Sequence, residues 1–370
     1  MAQPFFSIII PTRGRPALLR DALISALKQD FDDFEVVVSD NFNDDQTQTV
    51  LDEFAGNECL RCVRTGRLLS MPEHWEFASN HVRGRYVLFL TDRSALRQGA
   101  LATIYRAIVA SDLDVVDVCA WRWSILNEEF GNLVSTDQVE NTNGIILNSV
   151  DVATRFVKQE YLPYQLPRAL NSCFSAEMAA RIRAQHGKLF FPISPDFTSA
   201  FLLLAYSDKL LYIDAPLFMS RGLGVSNGGN AYKGDGTDYM KSLGITEWYR
   251  YVPIKGMLVE SLLYEDFLAI KEMAGGNLLK VEMDWVEYFV RCNKEIQFKR
   301  AANILNQQQI GILQGEWNRA LKNMNRDTRH KVKEYFQETW PLKMKAIIRK
   351  LPFFGSVRRL RDFIRSLRQA

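Results

Sequence analysis

The feature that most constrains the fold is an alternation of continuous apolar runs and amphipathic stretches near the N-terminus. Residues 5–10 form an apolar run that ends at Pro11, which is typical of a parallel strand buried on both faces. Residues 17–29 then repeat leucine and alanine at helical spacing, and residues 34–38 form a second apolar run. This alternation predicts an α/β fold with a mostly parallel sheet.

The same alternation continues along the chain and indicates where a ligand would bind. Further strands are predicted at residues 60–63, 86–90, 113–120 and 210–213, and helices at residues 47–54, 75–81 and 198–205. Polar segments follow three of the predicted strands, at residues 11–15, 40–41 and 92–94. Ligands of parallel α/β sheets sit beyond the carboxyl ends of the strands, so these segments predict a binding site.

The composition is that of an ordinary globular protein, with 47% hydrophobic and 24% charged residues. No apolar run approaches the roughly 18 residues that a membrane-spanning helix needs. Residues 1–4 lack a basic segment and a cleavage site, so secretion is not expected. The five cysteines are an odd set that suits a reducing compartment, and the Cys59-x-x-Cys62 pair is interpreted as two incidental thiols.

A chain of 370 residues suits one large domain with an appendage, or two domains. The predicted divisions are an α/β domain over 1–220, a glycine-rich flexible loop over 221–240, a helical region over 241–340 and a basic amphipathic tail over 341–370. The glycine-rich loop has the length of a mobile lid that could close over a site.

The last thirty residues differ from the rest in charge. Residues 341–370 hold nine Lys or Arg against one acid, Asp362, and an apolar helical face runs between the arginines. A basic amphipathic helix is typical of contact with an anionic membrane surface. Packing on the protein, an oligomer contact and nucleic-acid binding are the alternatives, although we do not expect a nucleic-acid partner.

Several short motifs together carry a resemblance to a known family. They are the strand-ending Pro11-Thr12, the pattern Ala22-Leu23-Ile24-Ser25-Ala26-Leu27-Lys28-Gln29, the strand-ending Asp40-Asn41, and the stretch from Leu68 to Leu96. This ensemble resembles the inverting nucleotide-sugar glycosyltransferases of family 2, which include many enzymes of bacterial surface polysaccharides. The resemblance covers about residues 5–220.

The resemblance implies a Rossmann-like glycosyltransferase A-type fold with a mixed, mainly parallel sheet, followed by a helical C-terminal region. It also implies a nucleotide-sugar site formed by Pro11, Thr12, Arg13, Asp40, Arg67, Asp92, Arg93 and Arg221. Asp40 would accept a hydrogen bond from a base that presents an N–H donor, or it would merely cap a turn. Arg221 would contact the donor, or it would be a surface arginine.

Asp196 is the predicted catalytic base. The family places a carboxylate at the start of a helix in its second half, and Ser194-Pro195-Asp196-Phe197 matches that placement. An inverting transferase needs such a base to take the proton of the acceptor hydroxyl. Asp196 could also act as a helix cap, and the two roles are compatible.

The segment Asp92-Arg93-Ser94 departs from the family, which commonly has Asp-x-Asp holding Mg²⁺ or Mn²⁺ against the donor phosphates. Three outcomes stay open. Asp92 alone could hold the metal weakly, an arginine could replace the metal's charge, or transfer activity could be absent. The candidate arginines are Arg93, Arg13, Arg15, Arg67 and Arg221.

The resulting hypothesis is a glycosyltransferase that acts on a glycan or polyprenyl-linked acceptor in bacterial cell-surface polysaccharide synthesis, such as lipopolysaccharide or O-antigen. Its expected location is the cytoplasm, on the inner face of the cell membrane, held there by residues 341–370. A nucleotidyltransferase and a non-catalytic nucleotide-sugar-binding assembly subunit are the alternatives. Oligomerisation is left open.

Overall fold

The structure, a computed structural model, describes residues 3–42, 45–126, 143–160, 165–221, 237–245 and 249–337. Most of the predicted glycine-rich loop (222–236) and the whole basic tail (341–370) therefore lie outside the described residues. The predictions made for those two segments concern the sequence alone.

Among the described residues, the fold is built on one nine-stranded mixed sheet. Its strands are β1 (Phe6–Thr12), β2 (Phe34–Asp40), β3 (Leu60–Arg64), β4 (Tyr86–Phe89), β5 (Ser94–Leu96), β6 (Val118–Leu126), β7 (Gly144–Asn148), β8 (Ser172–Ser175) and β9 (Lys209–Arg221). The strand order is β3-β2-β1-β4-β8-β6-β9-β5, and β7 also pairs with β9.

Strands β3, β2, β1 and β4 run parallel, and β8 joins β4 in the antiparallel direction. Strands β1, β2 and β4 are buried along their whole length, as their uninterrupted apolar runs predict. The helices of this region are α1 (Pro16–Leu27), α2 (Asp45–Asp52), α3 (Met71–Ser79), α4 (Ala100–Val109), α5 (Ser149–Val157), α6 (Ala176–His186) and α7 (Pro195–Tyr206). The α/β class and the mixed, mainly parallel sheet are confirmed.

Two predicted strands have different bounds in the structure. The strand expected at residues 113–120 begins only at Val118, where pairing with β8 starts, and it continues to Leu126. The strand expected at residues 210–213 continues to Arg221 as β9. Tertiary pairing explains this length, since β9 lies against β6 on one side and against β7 and then β5 on the other.

The chain separates into two compact units. Of the described residues, the first unit contains those within 3–221, 238–245 and 266–282, and the second contains residue 237 and those within 249–265 and 283–337. The helices after β9 are Thr237–Ser242, Val259–Ala274, Trp285–Ala301 and Gln307–Asn323. Within the described ranges, no helix combines the length and the hydropathy needed to cross a bilayer.

Candidate functional site

The carboxyl edge of the parallel strands carries the first group of predicted site residues. Thr12 at the end of β1 is the register partner of Asp40 at the end of β2, and Asp40 is the partner of Arg64 at the end of β3. The Arg64 guanidinium donates a hydrogen bond from Nε to Oδ2 of Asp40, at 3.1 Å. Asp40 is thus a buried carboxylate that is oriented by a partly exposed cation.

The loop after β2 is fixed by side-chain amides and a buried imidazole. Asn41 donates from Nδ2 to the Leu69 carbonyl and accepts from the Leu69 backbone N–H, both at 2.9 Å. Nε2 of His74 lies 2.9 Å from Oγ of Ser39. Burial lowers the pKa of His74 to about 4, so the ring is neutral at physiological pH. His74 therefore supports this edge as a neutral hydrogen-bonding group.

Asp92 lies in the turn between β4 and β5 and is buried. Its Oδ2 accepts a hydrogen bond from Thr12 Oγ1 at 3.3 Å, and its Oδ1 is 3.4 Å from Nη1 of Arg15. Burial raises the pKa of Asp92, whereas Arg15 and Thr12 act in the opposite direction by stabilising the carboxylate. The first strand and the fourth are thereby joined through the side chains at their ends.

Arg93, the residue that stands inside the expected Asp-x-Asp motif, extends toward β9. Its Nη1 donates to Oγ of Ser220 at 3.0 Å and to the carbonyl of Arg221 at 2.8 Å. Burial lowers the pKa of Arg93, and the negative charges of Asp196 and Asp92 oppose that shift. Arg93 is therefore a fixed, partly buried cation that interacts with both predicted carboxylates.

Asp196 lies in the first turn of α7, where the positive end of the helix dipole favours a carboxylate. Its Oδ2 is 3.9 Å from Nη1 of Arg168, whose guanidinium also lies over the Phe197 ring. Burial raises the pKa of Asp196, and the charges of Arg168 and Arg93 counteract that effect. A carboxyl group with a raised pKa is suited to take a proton.

The structure brings some of the predicted residues together and separates others from them. Thr12, Asp92, Arg93 and Asp196 form a connected set through contacts and charge interactions. Arg67 instead forms an exposed ion pair with Glu73. The remaining predicted residues lie on neighbouring elements. Pro11 pairs in register with Ser39, and Arg13 is exposed near His74. Arg221 forms an ion pair with Asp21 at 2.9 Å.

Two cations of this region were not singled out from the sequence. Arg64 could have been found, because it directly follows the strand predicted at residues 60–63 and in the structure lies at the same sheet edge as Asp40. Arg168 had no such signal, since it precedes the short 3-10 turn Ala169–Asn171 in a stretch without a clear periodic pattern. Its relation to Asp196 depends on tertiary structure.

The described side chains do not fit a metal centre built by the protein alone. Among them, no group of three or more His, Cys, Asp or Glu residues gathers that could hold an ion. Asp92 is contacted by Arg15 and is close to Arg93, and cationic neighbours oppose the binding of a second cation. An ion held by Asp92 together with donor phosphates stays a prediction, and no step below depends on it.

Comparison with known proteins shows which fold this chain shares and which enzyme family its N-terminal region resembles. The fold is similar to the crystal structure of S. aureus TarS 1–349 in complex with UDP-GlcNAc, with a TM-score of 0.51, 16% sequence identity, and coverage of 90% of this chain and 91% of that one. This likeness concerns the fold, which is of the glycosyltransferase A type. Residues 7–149 match the Glycosyl transferase family 2. The N-terminal α/β region therefore resembles family 2 of the glycosyltransferases over residues 7–149.

A curated relative is the GalNAc(5)-diNAcBac-PP-undecaprenol beta-1,3-glucosyltransferase of Campylobacter jejuni subsp. jejuni serotype O:2. The two sequences are 31% identical over 103 residues, which are 27% of this chain and 33% of the relative. The match thus spans about a third of the relative's length.

Proposed function

We propose that this protein is an inverting glycosyltransferase that moves a sugar from a nucleotide-diphosphate donor to a glycan or lipid-linked glycan. The observation that carries the proposal is the association of Asp92, Arg93 and Asp196, which come from two distant parts of the chain. The arrangement combines a cation suited to a leaving diphosphate with a carboxylate suited to proton abstraction.

The donor would bind at the carboxyl edge of β1, β2 and β4. Asp40, oriented by Arg64, would accept an N–H of uracil, thymine or guanine. Arg15 and Arg93 would face the diphosphate, because a guanidinium can donate two parallel hydrogen bonds to phosphate oxygens. These contacts would strengthen as negative charge develops on the departing diphosphate, which is how they would lower the barrier.

Asp196 would act on the acceptor. An ionised Asp196 would remove the proton from the attacking hydroxyl, and that oxygen would displace the nucleotide diphosphate from the opposite face of the sugar, with inversion. Burial raises the pKa of Asp196, and the positive charges of Arg168 and Arg93 oppose that rise by favouring the ionised carboxylate. The base and the leaving-group cation would thus stabilise one another before the donor arrives.

The Campylobacter relative supports a proposal for the acceptor and the cellular role. Its name describes a glucosyltransferase whose substrate is a glycan on undecaprenyl diphosphate. We infer a polyprenyl-linked or related glycan acceptor for this chain, in the synthesis of a bacterial surface polysaccharide. A peripheral position on the inner face of the membrane, with residues 341–370 in contact with anionic lipid, follows from that acceptor class.

The test combines a donor screen with substitution of the base. Thermal shift with UDP, GDP, TDP and CMP sugars should show stabilisation by one nucleotide class, since only a ligand that binds the native state stabilises it. Asp196→Asn should keep that stabilisation and lose about 10²- to 10⁴-fold in turnover. Retained turnover in Asp196→Asn would remove Asp196 from the base role.

Metal dependence is tested in the same assay. If Arg15 and Arg93 supply the charge for the leaving group, turnover in excess EDTA should stay within about threefold of that with Mg²⁺ or Mn²⁺. Loss of turnover in EDTA, restored by Mn²⁺, would show that Asp92 holds an essential ion together with the donor.

The same thermal-shift and turnover measurements also distinguish the proposed transferase from the two alternative functions. A non-catalytic nucleotide-sugar binder would show the donor-dependent thermal shift without turnover of any donor. A nucleotidyltransferase would transfer the nucleoside monophosphate and release sugar 1-phosphate, instead of transferring the sugar and releasing the nucleoside diphosphate.

A further inference from the structure

The turn that leads into α7 is held by a buried carboxylate from another part of the chain. Asp266, in the helix Val259–Ala274, accepts a hydrogen bond on Oδ1 from the Ile193 backbone N–H at 2.7 Å. Its Oδ2 accepts one from the Ser194 backbone N–H at 2.8 Å. Asp266 is only 2% exposed, so water cannot readily replace these bonds.

Tyr239 holds the same peptide unit from its other side. Its hydroxyl donates to the Ile193 carbonyl at 2.7 Å. Ser194 is the N-cap residue of α7 and makes no capping hydrogen bond with its own side chain. Asp266 and Tyr239 therefore fix, from distant sequence positions, the backbone that leads into α7.

The position of this turn determines the position of the predicted base. Asp196 follows Ser194 by two residues, in the first turn of α7, where its backbone direction is set by the residues that enter the helix. Burial raises the pKa of Asp266 to about 7, and the negative charge of Asp196 adds to that rise. The two carboxylates therefore belong to one local structure.

We propose that Asp266, assisted by Tyr239, is a positioning residue that fixes the turn at residues 193–194 and so holds Asp196 in its reactive position. Asp266 does not touch the reacting atoms in this proposal. It rests on the proposed function of Asp196 as the base, and small displacements of a catalytic group are known to reduce rates strongly.

The test uses Asp266→Asn in the full chain. The amide can accept only one of the two backbone N–H bonds, and its NH₂ group faces the other donor. We expect turnover at saturating donor and acceptor to fall about 10- to 100-fold, with the donor KM within about twofold of the wild-type value. A variant with wild-type turnover would overturn the proposal.

The neighbouring Glu265 offers a matched control. Its carboxylate accepts backbone N–H bonds from Arg250, Tyr251 and Val252, at 2.7 to 2.9 Å for the shortest bond to each, and Glu265 is also buried. Glu265→Gln removes the same kind of interaction from a segment that does not carry Asp196. It should lower stability while leaving turnover unchanged. Equal losses of turnover in both variants would show a general loss of structure and overturn the positioning role.

Hydrogen exchange provides a readout that is independent of activity. Amides of residues 193–197 should exchange faster in Asp266→Asn than in Glu265→Gln. If Asp266→Asn does not fold, Tyr239→Phe takes its place and should reduce turnover by about threefold to tenfold without raising the donor KM. Unchanged turnover in Tyr239→Phe would then contradict the proposal.

The failure of this inference can be distinguished from failure of the proposed function. Absence of wild-type transfer with every donor would contradict the proposed function, whereas the exchange experiment would still report whether Asp266 fixes the turn. Wild-type transfer combined with unaltered exchange and turnover in Asp266→Asn would contradict the inference alone.

Discussion

Arg93 is the residue on which the proposed stabilisation of the leaving group depends most directly. It is a partly buried guanidinium whose Nη1 is held by Ser220 and by the Arg221 carbonyl, and it interacts with Asp92 and Asp196. Removing a cation from water is costly unless opposite charges and hydrogen bonds compensate. A fixed cation of this kind is suited to stabilise charge that develops on a leaving group.

Arg93→Lys should therefore reduce kcat/KM for the donor by about 10-fold or more, because an ammonium group cannot reproduce the planar fork of a guanidinium. The measurement is steady-state turnover with the donor found by thermal shift. Arg20→Lys is the matched control, since Arg20, which lies on α1, forms an exposed ion pair with Glu53. A loss of the same size in the control would show that the effect is not specific to Arg93.

His74 predicts a pH dependence of stability. Its pKa in the folded protein is about 4, against 6.5 for the free side chain, so between these values the unfolded state binds the proton more readily. The contribution of His74 to stability is therefore lost as the pH falls from about 6.5 toward 4, and the loss at pH 5 relative to neutral pH is about 2 kcal/mol.

His74→Gln should remove that contribution. Urea unfolding at pH 7 and pH 5 should show a smaller acid-induced loss in the variant than in the wild type. All other titrating groups are shared by the two proteins, so the difference isolates His74. Parallel losses in both proteins would mean that His74 is not buried in the neutral form.

At the scale of single elements, α7 matters most because it carries Asp196 and is anchored at both ends. Asp266 holds the turn before it. At its C-terminal end, Asn277 donates from Nδ2 to the carbonyls of Leu204 and Ser207, at 3.3 and 3.0 Å. Gly276 precedes Asn277 with φ of 56°, and a Cβ at Gly276 would lie 2.3 Å from the Ala205 carbonyl oxygen.

Gly276→Ala should consequently destabilise the protein by at least about 2 kcal/mol, because the backbone is left-handed there and the added methyl would collide with backbone atoms. The measurement is the free energy of unfolding in urea. Gly315→Ala is the opposite control: it lies inside the helix Gln307–Asn323, and an added Cβ would meet nothing within 4 Å. Gly315→Ala should stabilise the protein by about 0.5–1 kcal/mol. Destabilisation by Gly315→Ala would contradict the explanation given for Gly276.

At the scale of the whole molecule, the catalytic region and the basic tail have separate tasks in the proposed function. The tail lies outside the described residues, so its role rests on its charge and its apolar pattern. Each basic residue near an anionic membrane contributes about 1 kcal/mol to binding. Membrane contact would bring the site close to lipid-linked acceptors.

Replacing Arg358, Arg359, Arg361 and Arg365 by Gln in the full chain should weaken binding to phosphatidylserine vesicles about 100-fold or more. Vesicle sedimentation measures the effect, and phosphatidylcholine vesicles serve as the neutral control. Donor-dependent thermal stabilisation should not change. Unchanged sedimentation with anionic vesicles would contradict the membrane role and favour packing or an oligomer contact for the tail.

Local pattern carried most of the fold prediction. The apolar runs of β1, β2 and β4 and the polar residues that end them predicted the parallel core and the edge where Thr12, Asp40 and Asp92 lie. The length of β9 could not be predicted in this way, since it depends on pairing with β5, β6 and β7.

The sequence by itself determined the class of fold, and it predicted a family resemblance and the edge of the sheet at which a donor would bind. Burial leaves a repeating signal along the chain, so short stretches suffice to recognise it. Only the tertiary structure decided which charged and polar groups come into contact. Asp266 and Ile193 are 73 residues apart, and Arg93 and Asp196 also come from distant segments. Such pairs leave no local pattern, because an electrostatic contact depends on distance in space and not on spacing in the chain.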